Sequence, residues 1–180
     1  MDFSWHEFLR KNNDELVATY GNLVNRVLSF TNRNFDACVP DPGELDEVGK
    51  NLLEKARRTL EDVDRQLYRC RFKEALKAAM ALAQDVNRYL DDTAPWKMIK
   101  QDRQAAGRSV YTSIGAIAAL KTMLYPFLPF TSQKLHNFLG FTGDVRDAGW
   151  ELRLPAAGSS LPQPQALFVK LEDKIGRAHV

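Results

Sequence analysis

Cysteine and histidine are scarce in this chain of 180 residues, which contains two cysteines and three histidines. Cys38 and Cys70 follow no spacing typical of a zinc site or a disulfide framework, and no histidine lies near either of them in the sequence. We therefore expect no metal site.

Long apolar runs are also missing. The most apolar stretch, around residues 113–130, is interrupted by Lys121, Pro126 and Pro129, so it is too broken to span a bilayer. The first fifteen residues are mostly polar and charged, unlike a secretory signal. These features predict a cytoplasmic protein with no membrane segment.

Signatures of catalysis are absent as well. The ten glycines are scattered, and neither G-x-x-x-x-G-K-[ST] nor G-x-G-x-x-G occurs. No serine, histidine and aspartate lie in a strand-turn-helix context typical of a nucleophile, and the Glu-x-x-His pairs of di-iron bundles do not occur. The sequence therefore predicts no catalytic residue and no cofactor in this piece of chain.

The charge that is present is unevenly distributed. With 44% hydrophobic and 27% charged residues, the composition is that of one soluble globular domain, and the net charge of +2 does not by itself indicate nucleic-acid binding. Residues 41–69 carry six Lys/Arg against eight Asp/Glu, whereas residues 93–140 carry six against the single Asp102. The basic excess begins at Trp96. Some of these lysines and arginines would simply lie on a solvent-exposed helix face.

Apolar periodicity predicts helices along most of the chain. Ser4 and Glu7 form an S-x-x-E capping box, and Pro95 disfavours helical geometry at Ala94. A regular apolar seam spaced by three and four residues marks the third helix: Phe72, Leu76, Ala79, Ala83, Val86 and Leu90. The predicted helices run roughly over 5–35 with a break near residues 12 and 13, 45–68, 72 to 91 or 92, 102–125 and 131–139.

Helices of this length joined by short loops are typical of an all-α antiparallel helix bundle, with about four long helices and a short fifth. We expect the bundle to occupy residues 1–141. Residues 142–180 would form a loosely structured C-terminal tail that packs on the bundle, with a disordered or vector-derived end.

Two polar features of these helices favour binding. Asn22 and Arg26 lie four residues apart on one face of the first helix, and Arg33 extends that face. Amide and guanidinium groups can read exposed base edges. Trp96 follows Pro95 directly after the third helix, either as a core residue or as an exposed surface on which a base can stack.

Three strings in this order resemble the C-terminal anticodon-binding domain of methionyl-tRNA synthetase: "GNLVNRVLSFTNRNFDACVP", "APWK" and "MLYPFLPFTSQKLHNFLGF". The opening "DFSWHEFLRKNNDELVATYGN" and the closing "GWELRLP" and "ALFVKLED" are similar too, so the resemblance covers about residues 2–173. "PFLP" is shared by other class I synthetases, whereas "GNLVNR" combined with "APWK" is more specific to the methionine enzyme.

The resemblance implies a role for each matching position. Trp96 would stack on the first anticodon base, a cytidine, and Pro95 would fix the turn that carries it. Asn22 and Arg26 would hydrogen-bond to bases of the CAU anticodon. Their positive charge and their position near Trp96 or the first helix make four further basic residues candidates for phosphate contacts: Arg33, Lys97, Lys100 and Arg103.

The resemblance also implies a larger parent protein. This chain would be an excised domain of a monomeric enzyme that ligates methionine to its tRNA using ATP, and its partners would be methionine tRNA and the parent's catalytic domain. "KMIKQ" lacks the serines of the KMSKS loop, so the piece itself would be inactive. Two alternatives stay open: the anticodon-binding domain of another class Ia synthetase, and a helical interaction scaffold with no RNA role.

Overall fold

The computed structural model describes residues 4–172, and within that range the regular structure is helical. The helices, in chain order, are α1 (Trp5–Arg10), a π-helical segment (Lys11–Gly21), α2 (Asn22–Asn34), α3 (Glu47–Tyr68), α4 (Phe72–Thr93), α5 (Pro95–Met98), α6 (Arg103–Leu124), α7 (Pro129–Phe138) and a 3-10 turn (Val145–Ala148). The prediction of an all-α fold is confirmed. No helix in the described range is both long and apolar enough to cross a membrane.

The first predicted helix changes its winding instead of breaking. The Ser4 side chain accepts a hydrogen bond from the Glu7 amide at 3.4 Å, which begins α1 as the capping box predicts. At Lys11 the backbone passes into the π-helical segment, where the Thr19 hydroxyl donates to the Asp14 carbonyl five residues earlier. The α-helix resumes at Asn22, so the predicted break near residues 12 and 13 is wrong.

The end of α4 confirms the expected effect of proline. Ala94 leaves right-handed helical geometry, which Pro95 disfavours at the residue before it, and adopts a left-handed conformation with φ +39°. The helix nevertheless runs to Thr93, one or two residues beyond the predicted end. Pro95 then opens the short helix α5, which was not predicted, because proline is well suited to a first helical position.

Helix α6 is the centre of the fold. It packs against α2, α3, α4, α5 and α7, and most of its surface is buried all the way round. The Asp102 side chain caps it by accepting from the Ala105 amide at 2.9 Å. Gly107 lets Phe35 and Pro40 approach, since a Cβ there would lie 3.3 Å from both side chains. The bundle therefore has a helical core that other helices surround.

The apolar seam predicted for α4 is buried only in part. Ala79, Ala83, Val86 and Leu90 are buried, whereas Leu76 is partly buried and Phe72 is 56% exposed. Phe72 is the first residue of α4, so the seam extends beyond the helices that cover the rest of it.

The C-terminal tail lies on the bundle through scattered contacts. Trp150 Nε1 donates to the Leu60 carbonyl at 3.1 Å, and the Phe168 ring lies 5.8 Å from that of Tyr20. The Asn13 side chain both donates to and accepts from the Leu171 backbone at 2.9 Å. Residues 173–180, where we expected a disordered or vector-derived end, lie outside the described residues.

Candidate nucleic-acid interface

Trp96 lies on α5 with one part packed and another part in solvent. Its side chain is 36% exposed. The packed part adjoins a void of about 10 Å³ lined by Arg26 and by apolar side chains of α2, α4 and α6, among them Phe30, Leu90 and Val110. A void of that size barely admits one water molecule, so the indole is well packed on this side. Trp96 is thus anchored in the core and also exposed.

Arg26 connects α2 to this tryptophan. Its guanidinium carbon lies 4.6 Å from the centre of the Trp96 ring. One terminal nitrogen donates to Asp91 Oδ1 at 2.8 Å and the other to Asn87 Oδ1 at 3.4 Å. Asn87 is itself held, because its amide donates to the carbonyls of Thr19 and Ala83. The guanidinium therefore already covers the indole and is fixed in that position by two residues of α4.

Arg26 also lines a polar groove of about 400 Å³. We call it the α2 groove. Its lining is rich in amides and hydroxyls and includes two guanidinium groups: Asn25, Arg26, Ser29, Asn32, Arg33, Gln163 and Pro164. The Arg33 Nε donates to the Ser29 carbonyl at 3.2 Å, which holds the base of this side chain along the helix. The groove offers donors and acceptors over a volume typical of ligand sites.

Asn22 lies outside the α2 groove. It is exposed and lines a neighbouring cavity of about 190 Å³ with Asn25, Gly21 and the tail residues Ala166 to Phe168. Asn25 belongs to both cavities, so they adjoin. The structure therefore brings Arg26 together with Trp96 and with Arg33, and it places Asn22 one helical turn away from Arg26.

The remaining predicted phosphate contacts lie around α5. Lys97 and Lys100 are exposed in and just after that helix. The Arg103 guanidinium lies over the ring of Phe35 at 4.9 Å, beside the end of α2. None of these three side chains lines the α2 groove. They form a basic margin close to Trp96 and to the end of α2.

Several polar residues of the interface were not predicted. Asn25, Ser29 and Asn32 continue the polar face of α2 at helical spacing, so the periodicity that marked Asn22, Arg26 and Arg33 could have found them. Asp91 and Gln163 carried no such signal, because each reaches the site from a different part of the chain.

Comparison with known proteins shows which family the chain belongs to. The family model described as the anticodon binding domain of methionyl tRNA ligase matches residues 39–179. The chain belongs to this family. Residues 1–28 also match the family model of class I tRNA synthetases (M).

Curated relatives of this family are methionine–tRNA ligases. The ligase of Dehalococcoides mccartyi is 53% identical over 175 residues, which cover 97% of this chain and 32% of that protein. The ligase of Chloroflexus aurantiacus is 42% identical over an aligned length of 200 residues, gaps included, which covers 97% of this chain and 33% of that protein. The chain thus spans about a third of the length of these relatives, and the resemblance to the methionine enzyme is confirmed.

Solved structures agree with this membership. The free form of Mycobacterium tuberculosis methionyl-tRNA synthetase superposes with a TM-score of 0.87 at 25% identity, over 94% of this chain and 35% of that one. The same enzyme bound by methionyl-adenylate gives a TM-score of 0.85 over 93% of this chain and 34% of that one.

Proposed function

We propose that this chain binds methionine tRNA through its CAU anticodon and belongs to a longer, cytoplasmic and monomeric protein that ligates methionine to that tRNA using ATP. The observation that carries the proposal is the guanidinium of Arg26, which lies over Trp96 and belongs to the residue that also lines the α2 groove. ATP would be bound by the other part of the parent, which also is the chain's partner in the intact enzyme.

Planar groups at this interface suit unstacked bases. Nucleobases in single-stranded loops are recognised by stacking on aromatic rings and guanidinium planes and by hydrogen bonds to their edges. Because the Arg26 guanidinium covers Trp96, an incoming base either stacks on the outer side of that guanidinium or takes its place on the indole. In both arrangements the nucleobase stacks with the Trp96 ring, the Arg26 guanidinium or both. Pro95 holds Trp96 in place in either case.

Polar side chains of α2 would then read the following bases. Asn25 and Arg33 offer donors and acceptors within the α2 groove, and Asn22 does so in the adjoining cavity. The backbone of the loop would pass the basic margin of Lys97, Lys100 and Arg103. Sequence information would come from the groove, and the margin would add affinity.

A binding titration with altered anticodons tests the proposal. Wild-type protein should bind methionine tRNA more tightly than the same tRNA with its CAU replaced. Stacking on an aromatic side chain contributes about 1 to 3 kcal/mol per base, so Trp96→Ala should weaken binding roughly tenfold to a hundredfold. Fluorescence anisotropy with labelled tRNA measures both effects.

Trp5→Ala provides the matched control. Trp5 is exposed and lies about 30 Å from Arg26 along the same helical rod. Its loss should leave the affinity for tRNA unchanged. Equal binding of both tRNAs by the wild-type protein would instead favour a scaffold with no role in RNA recognition.

A further inference from the structure

The turn between α3 and α4 is an exposed basic and aromatic surface, which we call the α3–α4 tip. Its sequence, "YRCRFK" at residues 68–73, has a cation at every second position and an aromatic ring at Tyr68 and Phe72. Tyr68 is 90% exposed and Phe72 is 56% exposed, and Arg69, Arg71 and Lys73 between and beside them are exposed as well. Over the described part of the chain, no ion pair neutralises any of these three cations.

Backbone hydrogen bonds hold the tip in one shape. The Arg71 amide donates to the Gln66 carbonyl at 2.8 Å and the Cys70 amide to the Leu67 carbonyl at 2.9 Å, which is the bonding of a Schellman motif. Cys70 has φ +55°, a conformation that favours glycine. The cations are therefore presented by a fixed turn between two long helices.

The tip lies far from the proposed anticodon site. Helix α4 is about 33 Å long, with the tip at its start and Asp91 near its end, where the carboxylate holds Arg26. The tip is thus about 30 Å from the α2 groove, too far for the same few nucleotides to touch both.

The start of α4 also lies beside the N-terminal helices. A cavity of about 160 Å³ is lined by Phe8 and Lys11 on one side and by Leu76 and Met80 of α4 on the other. Residues 1–28 match the class I synthetase family model. On the proposed function, the part of the parent that precedes α1 would lie at this end of the bundle. A tRNA that reaches from the anticodon site to that part of the parent would pass the tip.

We infer that the α3–α4 tip binds the RNA backbone of the tRNA's helical arm about 30 Å from the anticodon, beyond the first five base pairs above the loop. This inference rests on the proposed function. Arg69, Arg71 and Lys73 would contact phosphates, and Tyr68 would pack against a ribose. Neutralising phosphates releases counterions, so these contacts add affinity that depends on salt and not on sequence.

Hairpins that share the CAU anticodon loop but differ in stem length test the inference. A stem of five base pairs is too short to reach the tip, whereas one of twelve base pairs spans it, since a duplex gains roughly 3 Å for each base pair. Wild-type protein should bind the long hairpin about tenfold more tightly than the short one by fluorescence anisotropy at low salt.

The variant Arg69→Gln/Arg71→Gln/Lys73→Gln should lose this advantage and keep its affinity for the short hairpin. The variant Lys50→Gln/Arg57→Gln/Arg58→Gln is the matched control, because it removes the same charge from bases that are already paired with acids on α3. It should retain the advantage of the long stem. Thermal unfolding by circular dichroism confirms that both variants fold.

Three results would overturn the inference. Equal affinity of the wild-type protein for the two stem lengths would do so, as would a tip variant that keeps the advantage of the long stem. A tip variant that loses binding to vesicles of anionic lipid but retains both hairpin affinities would assign the tip to membranes. A short hairpin that binds regardless of its anticodon would instead refute the proposed function, so the two failures are distinguishable.

Discussion

Lys121 is a cation buried in the central helix, with only 1% of its surface exposed. Its Nζ lies 3.2 Å from His136 Nδ1 and 4.7 Å from the centre of the Phe141 ring. Since a protonated lysine can only donate, His136 accepts at Nδ1 and its Nε2–H faces the Thr142 carbonyl at 3.3 Å. Burial, together with a smaller effect of the nearby Arg153 charge, lowers the pKa of Lys121 to about 8.

The lowered pKa predicts that stability rises with pH in a defined window. Between about pH 8 and 10.5 the unfolded chain binds more protons at Lys121 than the folded chain does, so the free energy of unfolding increases as pH rises. Between about pH 7.5 and about pH 9.5, the deprotonation of this lysine should raise the free energy of unfolding by roughly 2 kcal/mol. Urea unfolding of wild-type protein and of Lys121→Met should show that the variant lacks this increase. Lys100→Met, which removes an exposed lysine, should retain it.

Left-handed residues end two long helices, and neither is glycine. Cys70 follows α3 with φ +55°, and Ala94 follows α4 with φ +39°. Pro95 predicted that Ala94 would leave the helix but not that it would be left-handed, and Cys70 gave no signal at all. The π-helical segment was also not predicted from the sequence, because π-helices are rare and no residue in this stretch signals that the amide hydrogen bonds shift from the fourth to the fifth preceding carbonyl.

Replacing Cys70 with glycine should stabilise the protein. A side chain in the left-handed conformation costs about 1 to 2 kcal/mol, so Cys70→Gly should raise the free energy of unfolding by about 1 kcal/mol after glycine's greater chain entropy is counted. Urea unfolding measures the change. Cys70→Ala keeps the Cβ and should be nearly neutral, and Lys77→Gly within α4 should lower stability by about 1 kcal/mol. A gain for Cys70→Ala equal to that for Cys70→Gly would attribute the effect to the thiol instead.

The interface as a whole is assembled from distant parts of the chain. Trp96 and Arg26 could be proposed from the sequence because a family resemblance covered both, and their contact confirms only that they are neighbours. Asp91 and Gln163 could not be proposed from the sequence, since side-chain amides and carboxylates are common on any protein surface. Which of them meet in one groove depends on how α4 and the tail pack on α2, and local periodicity does not specify that packing.

Local charge should control the salt dependence of RNA binding, because the net charge of the chain is only +2. Each phosphate neutralised in a single-stranded loop changes the slope of log affinity against log salt by about −0.7. If Lys97, Lys100 and Arg103 each contact a phosphate of the anticodon loop, replacing all three with glutamine should make that slope less negative by about 2. Titrations of the short hairpin between about 50 and 400 mM salt measure it.

The same triple variant should preserve the preference for CAU over other anticodons, since phosphate contacts carry no sequence information. The control variant Lys50→Gln/Arg57→Gln/Arg58→Gln should leave the slope unchanged, because these three side chains are already paired with acidic residues of α3. An unchanged slope in the Lys97, Lys100 and Arg103 variant would show that this margin does not bind phosphate. If the variant instead loses its anticodon preference while its fold is unchanged, these basic side chains take part in recognising the nucleobases of the anticodon.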